Sequence, residues 1–176
     1  MKIYISKSKL HGKGIFTSKD VKKNETLFII KGKKINFLIN NRTEANKAGL
    51  NWIGYDKNTW IDPISYGLYI NHSCNPNSAI EGRLKVVALK DIKKDEELTF
   101  DYSLNEADIF WKFKCTCGSK NCRKVIQSIQ FLPTTVIKKY NAYIPTYFLK
   151  VYNKFRLLNF KSSKELEKSW VNFIKS

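Results

Sequence analysis

Long apolar runs are missing from this chain. No stretch of its 176 residues approaches the roughly 20 uninterrupted apolar positions of a membrane-spanning helix. Met1 to Leu10 alternates lysine and serine with apolar residues where a signal peptide would carry its apolar core. These absences predict a soluble, cytoplasmic protein with no membrane partner, with the nucleus or chromatin of its own cell or of a host as further locations. Acidic residues are scarce: 15 Asp and Glu stand against 32 Lys and Arg, a net charge of +17. Arginine is also rare, confined to Arg42, Arg83, Arg123 and Arg156, so lysine carries the charge. That balance favours acidic partners, nucleic acid included, and it equally fits a compositional habit of filling surfaces with lysine. Neither internal repeats nor low-complexity segments occur, which excludes repeat architectures and leaves one core with a terminal appendage.

The first two thirds of the chain carry mostly strand signals. Lys2 to Ser6 alternates, and His11-Gly-Lys-Gly14 turns the chain into Ile15-Phe16. Thr26 to Ile30 is β-branched and aromatic, as a buried strand requires, and Gly32-Lys-Lys34 is expected to turn it. Asn40 to Gly49 suits one short helix. Trp60-Ile61 before Asp62-Pro63, Arg83 to Leu89, and Glu97 to Phe100 read as further strands. Beyond Cys122 the pattern becomes helical. Pro133, Pro145 and Ser162 each stand where a helix can begin, and Ser162 with Glu165 forms a capping-box pattern. Leu166, Trp170, Phe173 and Ile174 share one helical face, which is expected to dock on the core. A boundary is predicted near 131–135.

Four cysteines are present, Cys74, Cys115, Cys117 and Cys122. With one residue between them, Cys115 and Cys117 cannot easily bridge each other. Together with Cys122 they offer three thiolates to one ion, and Cys74 is the remaining cysteine for a tetrahedral zinc.

Four segments occur in order: Gly12-Lys-Gly-Ile-Phe16, Asn71-His-Ser-Cys-Asn-Pro-Asn77, Glu97-Leu-Thr-Phe-Asp-Tyr102 and Cys115-Thr-Cys-Gly-Ser-Lys-Asn-Cys-Arg123. This set resembles SET-domain protein lysine methyltransferases with a post-SET zinc-binding segment, of the small bacterial or viral kind. The resemblance implies a mainly β fold with some helix, in which small β-sheets surround a threaded pseudoknot, followed by a zinc clip and a helical C-terminal tail. The corresponding ranges are 1–104 for the SET domain, 111–127 for the zinc-binding segment and 133–176 for the helical extension.

The same resemblance implies a cofactor, S-adenosyl-L-methionine. Main-chain groups of Lys13, Gly14 and Ile15 would hold its methionine end, Asn71 and His72 would bind it with Ile70 beneath, and Phe113 would pack on its adenine. Tyr102 matches the family's catalytic tyrosine, which also borders the cofactor, and Tyr66 and Tyr69 are expected in the lysine channel. Cys74, Cys115, Cys117 and Cys122 would hold one structural zinc. Without the resemblance, Gly12 and Gly14 read as a hairpin turn, Asn71-His72 as an Asx-type turn, and Tyr102 as a buried tyrosine ending a strand. Leu68 stands where many members carry arginine, and Trp52 and Tyr55 lie where an aromatic wall is often placed. The implied activity is methylation of a protein lysine, with a histone or another nucleic-acid-associated protein as substrate. The alternative is a non-catalytic SET-fold binding module for acidic or nucleic-acid-associated partners. Asp101, Glu106 and Asp108 are expected to make the substrate groove acidic.

Overall fold

The computed structural model describes residues 2–158 and 160–176. Its strands are β1 (Ile3–Lys7), β2 (Lys13–Thr17), β3 (Thr26–Ile29), β4 (Lys31–Asn36), β5 (Ile53–Asp56), β6 (Thr59–Ile64), β7 (Asn71–His72), β8 (Ser78–Glu81), β9 (Lys85–Ala88), β10 (Glu97–Phe100), β11 (Lys112–Lys114) and β12 (Val125–Gln127). The helices are α1 (Arg42–Ala45), α2 (Thr134–Tyr140), α3 (Thr146–Phe155) and α4 (Ser163–Lys175). The strands form small sheets, ordered β1-β2-β10-β7, β3-β9-β8 and β4-β6-β5, with β11 and β12 paired separately. This is the mainly β arrangement with helices that the sequence predicts.

Two strand expectations need correction. Gly32 to Lys34 do not turn; they lie inside β4, paired through to β6 with Gly32 opposite Pro63. A β-carbon on Gly32 would stand 2.2 Å from the Asp62 carbonyl oxygen, so this glycine serves close approach of two backbones. Asp62-Pro63 likewise does not end β6. Pro63 lies beyond the last residue that β5 pairs, where no neighbour on that side asks for its missing N–H. The predicted helix at Asn40 to Gly49 shrinks to one turn, capped by the Asn41 side chain accepting from the Glu44 N–H.

Apolar burial falls mainly in two clusters, with a third, smaller one around Cys74, Cys115 and Ile126. One lies among the sheets, around Ile15, Val86 and Leu98. The other joins Ile39, Trp60 and Leu104 to Phe148, Val151, Phe155, Trp170 and Ile174, so the helical end and the β part share one core. Helices start at the expected places: Pro133 and Pro145 precede α2 and α3, and the Ser162 hydroxyl accepts the Glu165 N–H at 3.3 Å. Trp170 and Ile174 are buried, Leu166 and Phe173 pack partly against the same cluster, and Trp170 Nε1 donates to the Ile39 carbonyl at 3.2 Å. No helix among the described residues is long and apolar enough to cross a membrane.

Candidate active site

Strand β10 organises the site because it has different neighbours on its two sides. Leu98 pairs with Ile15 of the glycine-bearing strand, while Thr99 and Phe100 pair in parallel with Asn71 and His72. The Asn-His segment and the Glu97 to Tyr102 segment therefore run side by side through the centre of the molecule. Asn71 is buried, and its amide donates to the His11 and Lys13 carbonyls at 3.2 and 3.1 Å and to Glu97 Oε1 at 2.7 Å. The same carboxylate accepts the Ser8 hydroxyl at 2.8 Å. It also presses on Gly14, where a β-carbon would sit 2.3 Å from Glu97 Oε1. One amide and one carboxylate thus fix the loop from Ser8 to Gly14, and a side chain at position 14 would displace the carboxylate.

Tyr102 follows directly on β10. Its hydroxyl donates to the Ile70 carbonyl at 2.8 Å, and its ring lies 4.8 Å from Phe100, 5.2 Å from His72 and 6.2 Å from Phe113. Burial, and then the Glu97 carboxylate, raise its phenol above the ordinary range, so it stays a neutral donor. Burial brings His72 down to about 4, with Asp101 pulling it up and Arg123 pushing it further down. The neutral ring accepts the Tyr102 N–H at Nδ1 (3.3 Å), which leaves Nε2 as the protonated nitrogen 3.3 Å from Cys74 Sγ. Asp101 is fully buried and binds both terminal nitrogens of Arg123 at 2.7 Å. That ion pair fastens the cysteine-rich segment to the start of the Tyr102 turn.

Two cavities meet at Tyr102 and Phe113. One, of about 110 Å³, has Trp52, Leu68, Phe100 and Trp111 among its walls, together with Asn105 and Glu106. The other, of about 320 Å³, is lined by His11, Asn71, His72 and the stretch Lys114 to Cys117. At its floor the ligand atoms of His72, Cys74, Cys115 and Cys117 all lie within 4.8 Å of one another. Backbone N–H groups point at two of the sulfurs, Cys74 N at Cys117 Sγ and Arg123 N at Cys74 Sγ, both 3.4 Å. Converging thiols that receive N–H donors are a donor set suited to zinc. Cys122 packs at the edge of this cluster, with its thiol directed at the Cys115 carbonyl, 3.6 Å away.

A family model described as the SET domain matches residues 12–103, just over half of the chain. The chain belongs to the SET-domain family. Among curated relatives, it is 32% identical over 136 residues to "Histone-lysine N-methyltransferase trr" of Drosophila melanogaster, covering 69% of this chain and 6% of that protein. It is 31% identical over 137 residues to "Histone-lysine N-methyltransferase, H3 lysine-4 specific" of Emericella nidulans, covering 69% of this chain and 11% of that one. The chain therefore spans a small fraction of the length of these relatives. A solved structure described as KRYPTONITE in complex with mCHG DNA and SAH superposes over 70% of this chain and 28% of its own, at 20% identity and a TM-score of 0.57, a likeness of fold.

Within this SET domain, the residues named from sequence fall into three groups. Asn71, His72, Tyr102, Phe113, Cys115 and Cys117 line the larger cavity, Cys74 and Cys122 pack with the latter two cysteines, and Ile70 is buried. Lys13, Gly14 and Ile15 stand just behind it. Their loop is represented at the wall by Leu10 and His11, while Ile15 is buried and Lys13 spreads over the Tyr69 ring, 5.8 Å from its centre. Tyr66 and Tyr69 do not line the cavity walled by Trp52 and Phe100. The tight turn Ser65–Leu68 directs Gly67 and Leu68 there and leaves Tyr66 against Phe28. Of the two wall candidates, Trp52 lines that cavity, and Tyr55 lies instead beneath Arg83 and Lys34.

The acidic groove expected from Asp101, Glu106 and Asp108 is absent among the described residues. All three are buried, Asp101 is neutralised by Arg123, and burial pushes Glu106 up to about 8 and Asp108 to about 6. Sequence reading missed Glu97 and Arg123 as holding residues, although both stand inside the quoted motifs. Trp111 carried no signal beyond its nearness to Phe113.

Proposed function

We propose that this chain transfers a methyl group from S-adenosyl-L-methionine to the ε-amine of a protein lysine. One observation carries the reading: two cavities meet at the Tyr102 ring, one walled by aromatic and aliphatic side chains and one lined by His11, Asn71 and His72. An aliphatic lysine stem suits the first, walled by Trp52, Leu68, Phe100 and Trp111, and a zwitterionic nucleoside suits the second. When bound, that cofactor supplies a methyl group on a positively charged sulfonium.

Direct displacement needs no covalent enzyme nucleophile, so alignment and a neutral amine are what the protein must provide. Neutralising a lysine at pH 7 costs about 4–5 kcal/mol, which the apolar walls reduce by disfavouring the ammonium. Tyr102 aligns the amine, with its hydroxyl oriented by Ile70 and its ring excluding water. Asn71, held by Glu97, shapes the methionine end together with Lys13, Gly14 and Ile15; His72 and Phe113 border the rest.

Cys74, Cys115, Cys117 and Cys122 are the proposed ligands of one structural zinc, with His72 donating to the Cys74 sulfur rather than binding the ion. The metal would hold β11 and β12 over the cavity and take no part in transfer. The relatives named as histone-lysine methyltransferases support a histone as substrate. The charge of +17 suits a substrate presented on nucleic acid and supports a location at chromatin.

Labelled methyl transfer into histones and lysate proteins tests the reading. Tyr102→Phe should lower incorporation at least 100-fold while leaving the fold intact. Incorporation unaffected by this change would remove Tyr102 from the reaction. A folded, zinc-bearing protein that binds cofactor but labels nothing would favour the non-catalytic binding module.

A further inference from the structure

The methyl-transfer reading leaves one proton unaccounted for. A lysine arrives as ammonium and must lose a proton inside the channel before its nitrogen can attack. Two ionisable side chains line the cavity walled by Trp52 and Phe100 among the described residues, Tyr102 and Glu106. Tyr102 cannot accept, because its phenol is held protonated and already donates to Ile70. We propose that Glu106 is the proton acceptor of the lysine channel, an inference that rests on the methyl-transfer reading above.

Four features of this wall point the same way. Glu106 is only 8% exposed, and its Oε1 accepts the Ala107 and Asp108 N–H groups at 2.8 Å each, which fixes the carboxyl in the wall. Beside it, Asn105 lines the same cavity with its amide nitrogen buried and unpartnered, a polar group at a place that otherwise suits an aliphatic stem. Gly54 brings the two against β5: a β-carbon there would stand 2.0 Å from the Asn105 carbonyl oxygen. Glu106 also lines a second, smaller cavity with Asp56, Asp108 and Tyr147, which shares none of the residues lining the cavity of His11, Asn71 and His72.

The step balances. An Nζ–H bond breaks and its electron pair stays on nitrogen as the nucleophile. The proton forms an O–H bond with the Glu106 carboxylate, and after transfer it is given up to solvent. Burial first, and then the neighbouring Asp108, make Glu106 a stronger base than an ordinary carboxylate, half ionised at about pH 8. The other charged or titratable groups about it are Asp56, Asp108, Tyr147 and Tyr102, with Arg42 acting on Asp108.

Single-turnover methyl transfer to a histone peptide, measured from about pH 6 to about pH 9 with the full chain, tests this. The unmodified protein should show an inflection near the Glu106 value. Glu106→Gln keeps an acceptor for the two backbone N–H groups; it should lose that inflection and fall at least tenfold in rate, with KM little changed. Glu106→Asp should keep the inflection. A peptide carrying thialysine, a more acidic amine, should recover much of the rate in the Gln variant, which a merely structural loss would not permit. A Gln variant with an unchanged profile and a rate within twofold overturns the proposal, as does a slow variant that thialysine fails to rescue. Absence of transfer by the unmodified protein would instead overturn the methyl-transfer reading.

Discussion

The sheet-built centre and the helical end of this molecule are held together by different physics. In the centre, buried polar groups are matched to one another. Asn77 donates to the Glu97 carbonyl at 2.8 Å and accepts the Thr99 N–H at 2.9 Å, Ser78 donates to the Thr99 carbonyl at 2.9 Å, and Asp101 takes both ends of Arg123. The helical end is a packed set of rings and aliphatic chains, with Phe155 set 5.8 Å from Trp170 and 5.6 Å from Phe173. Buried polar atoms without partners fall mainly at its approach, in Ser128, Gln130 and Tyr140. Directional bonds fix positions, and apolar contact tolerates adjustment. A small error in the centre should therefore cost function, and a large one in the helices should cost stability.

The sharpest way to break this comparison is through the sulfurs. Cys74→Ser, or removal of metal by a chelator, should abolish zinc binding, loosen residues 112–127 and lower transfer more than 100-fold, while helical content by circular dichroism persists. Metal stoichiometry and hydrogen exchange read these separately. Cys122→Ser should lose the metal and His72→Ala should keep it. The reverse pattern would make His72 the fourth ligand, in line with its place in the cluster. Loss of the helices along with the zinc would show that the two regions are not distinct.

Trp170→Ala attacks the other side. Removing a buried indole, together with its bond to the Ile39 carbonyl, should cost about 3–5 kcal/mol in urea unfolding. Transfer per folded molecule should stay within twofold. A tenfold loss of transfer at full folding would mean that the shared core around Trp60 and Leu104 transmits to the site.

The two regions also differ in how far they could be read. Asn71, His72, Tyr102 and the cysteines stood in motifs, and helix starts at Pro133, Pro145 and Ser162 followed from local capping chemistry, so both were legible. Gly32 reads as a turn residue because a glycine that permits a turn looks the same in sequence as one that permits two strands to approach. Nearness to Asn71 suggests Tyr66 and Tyr69 for a lysine channel, while the turn of Ser65–Leu68 sets Gly67 and Leu68 in the wall of the cavity beside Trp52. The acidic groove failed for a different reason. Charge is counted along the chain, whereas the partner of Asp101 lies 22 residues away at Arg123 and burial takes Glu106 and Asp108 out of any open groove. Long-range pairing and burial are tertiary quantities that no local pattern carries.

The smallest expected effect lies at the start of α4, where the helical end uses a directional bond of its own. Ser162 accepts the Glu165 N–H at 3.3 Å, but Glu165 Oε2 returns to the Lys161 N–H, at 2.8 Å, one residue before the cap. The reciprocal bond of a capping box is thus displaced outward, into an exposed stretch where water competes for it. Ser162→Ala should cost about 0.5–1 kcal/mol in urea unfolding. Glu165→Ala should cost less, because the N–H it releases is solvated. Ser162→Asp should match the unmodified protein, since a carboxylate accepts the same bond and faces the positive end of the helix. Equal losses for the Ala variants at 162 and 165 would make the two contacts one cooperative unit, and the helical end would then depend on matched polar geometry as the centre does.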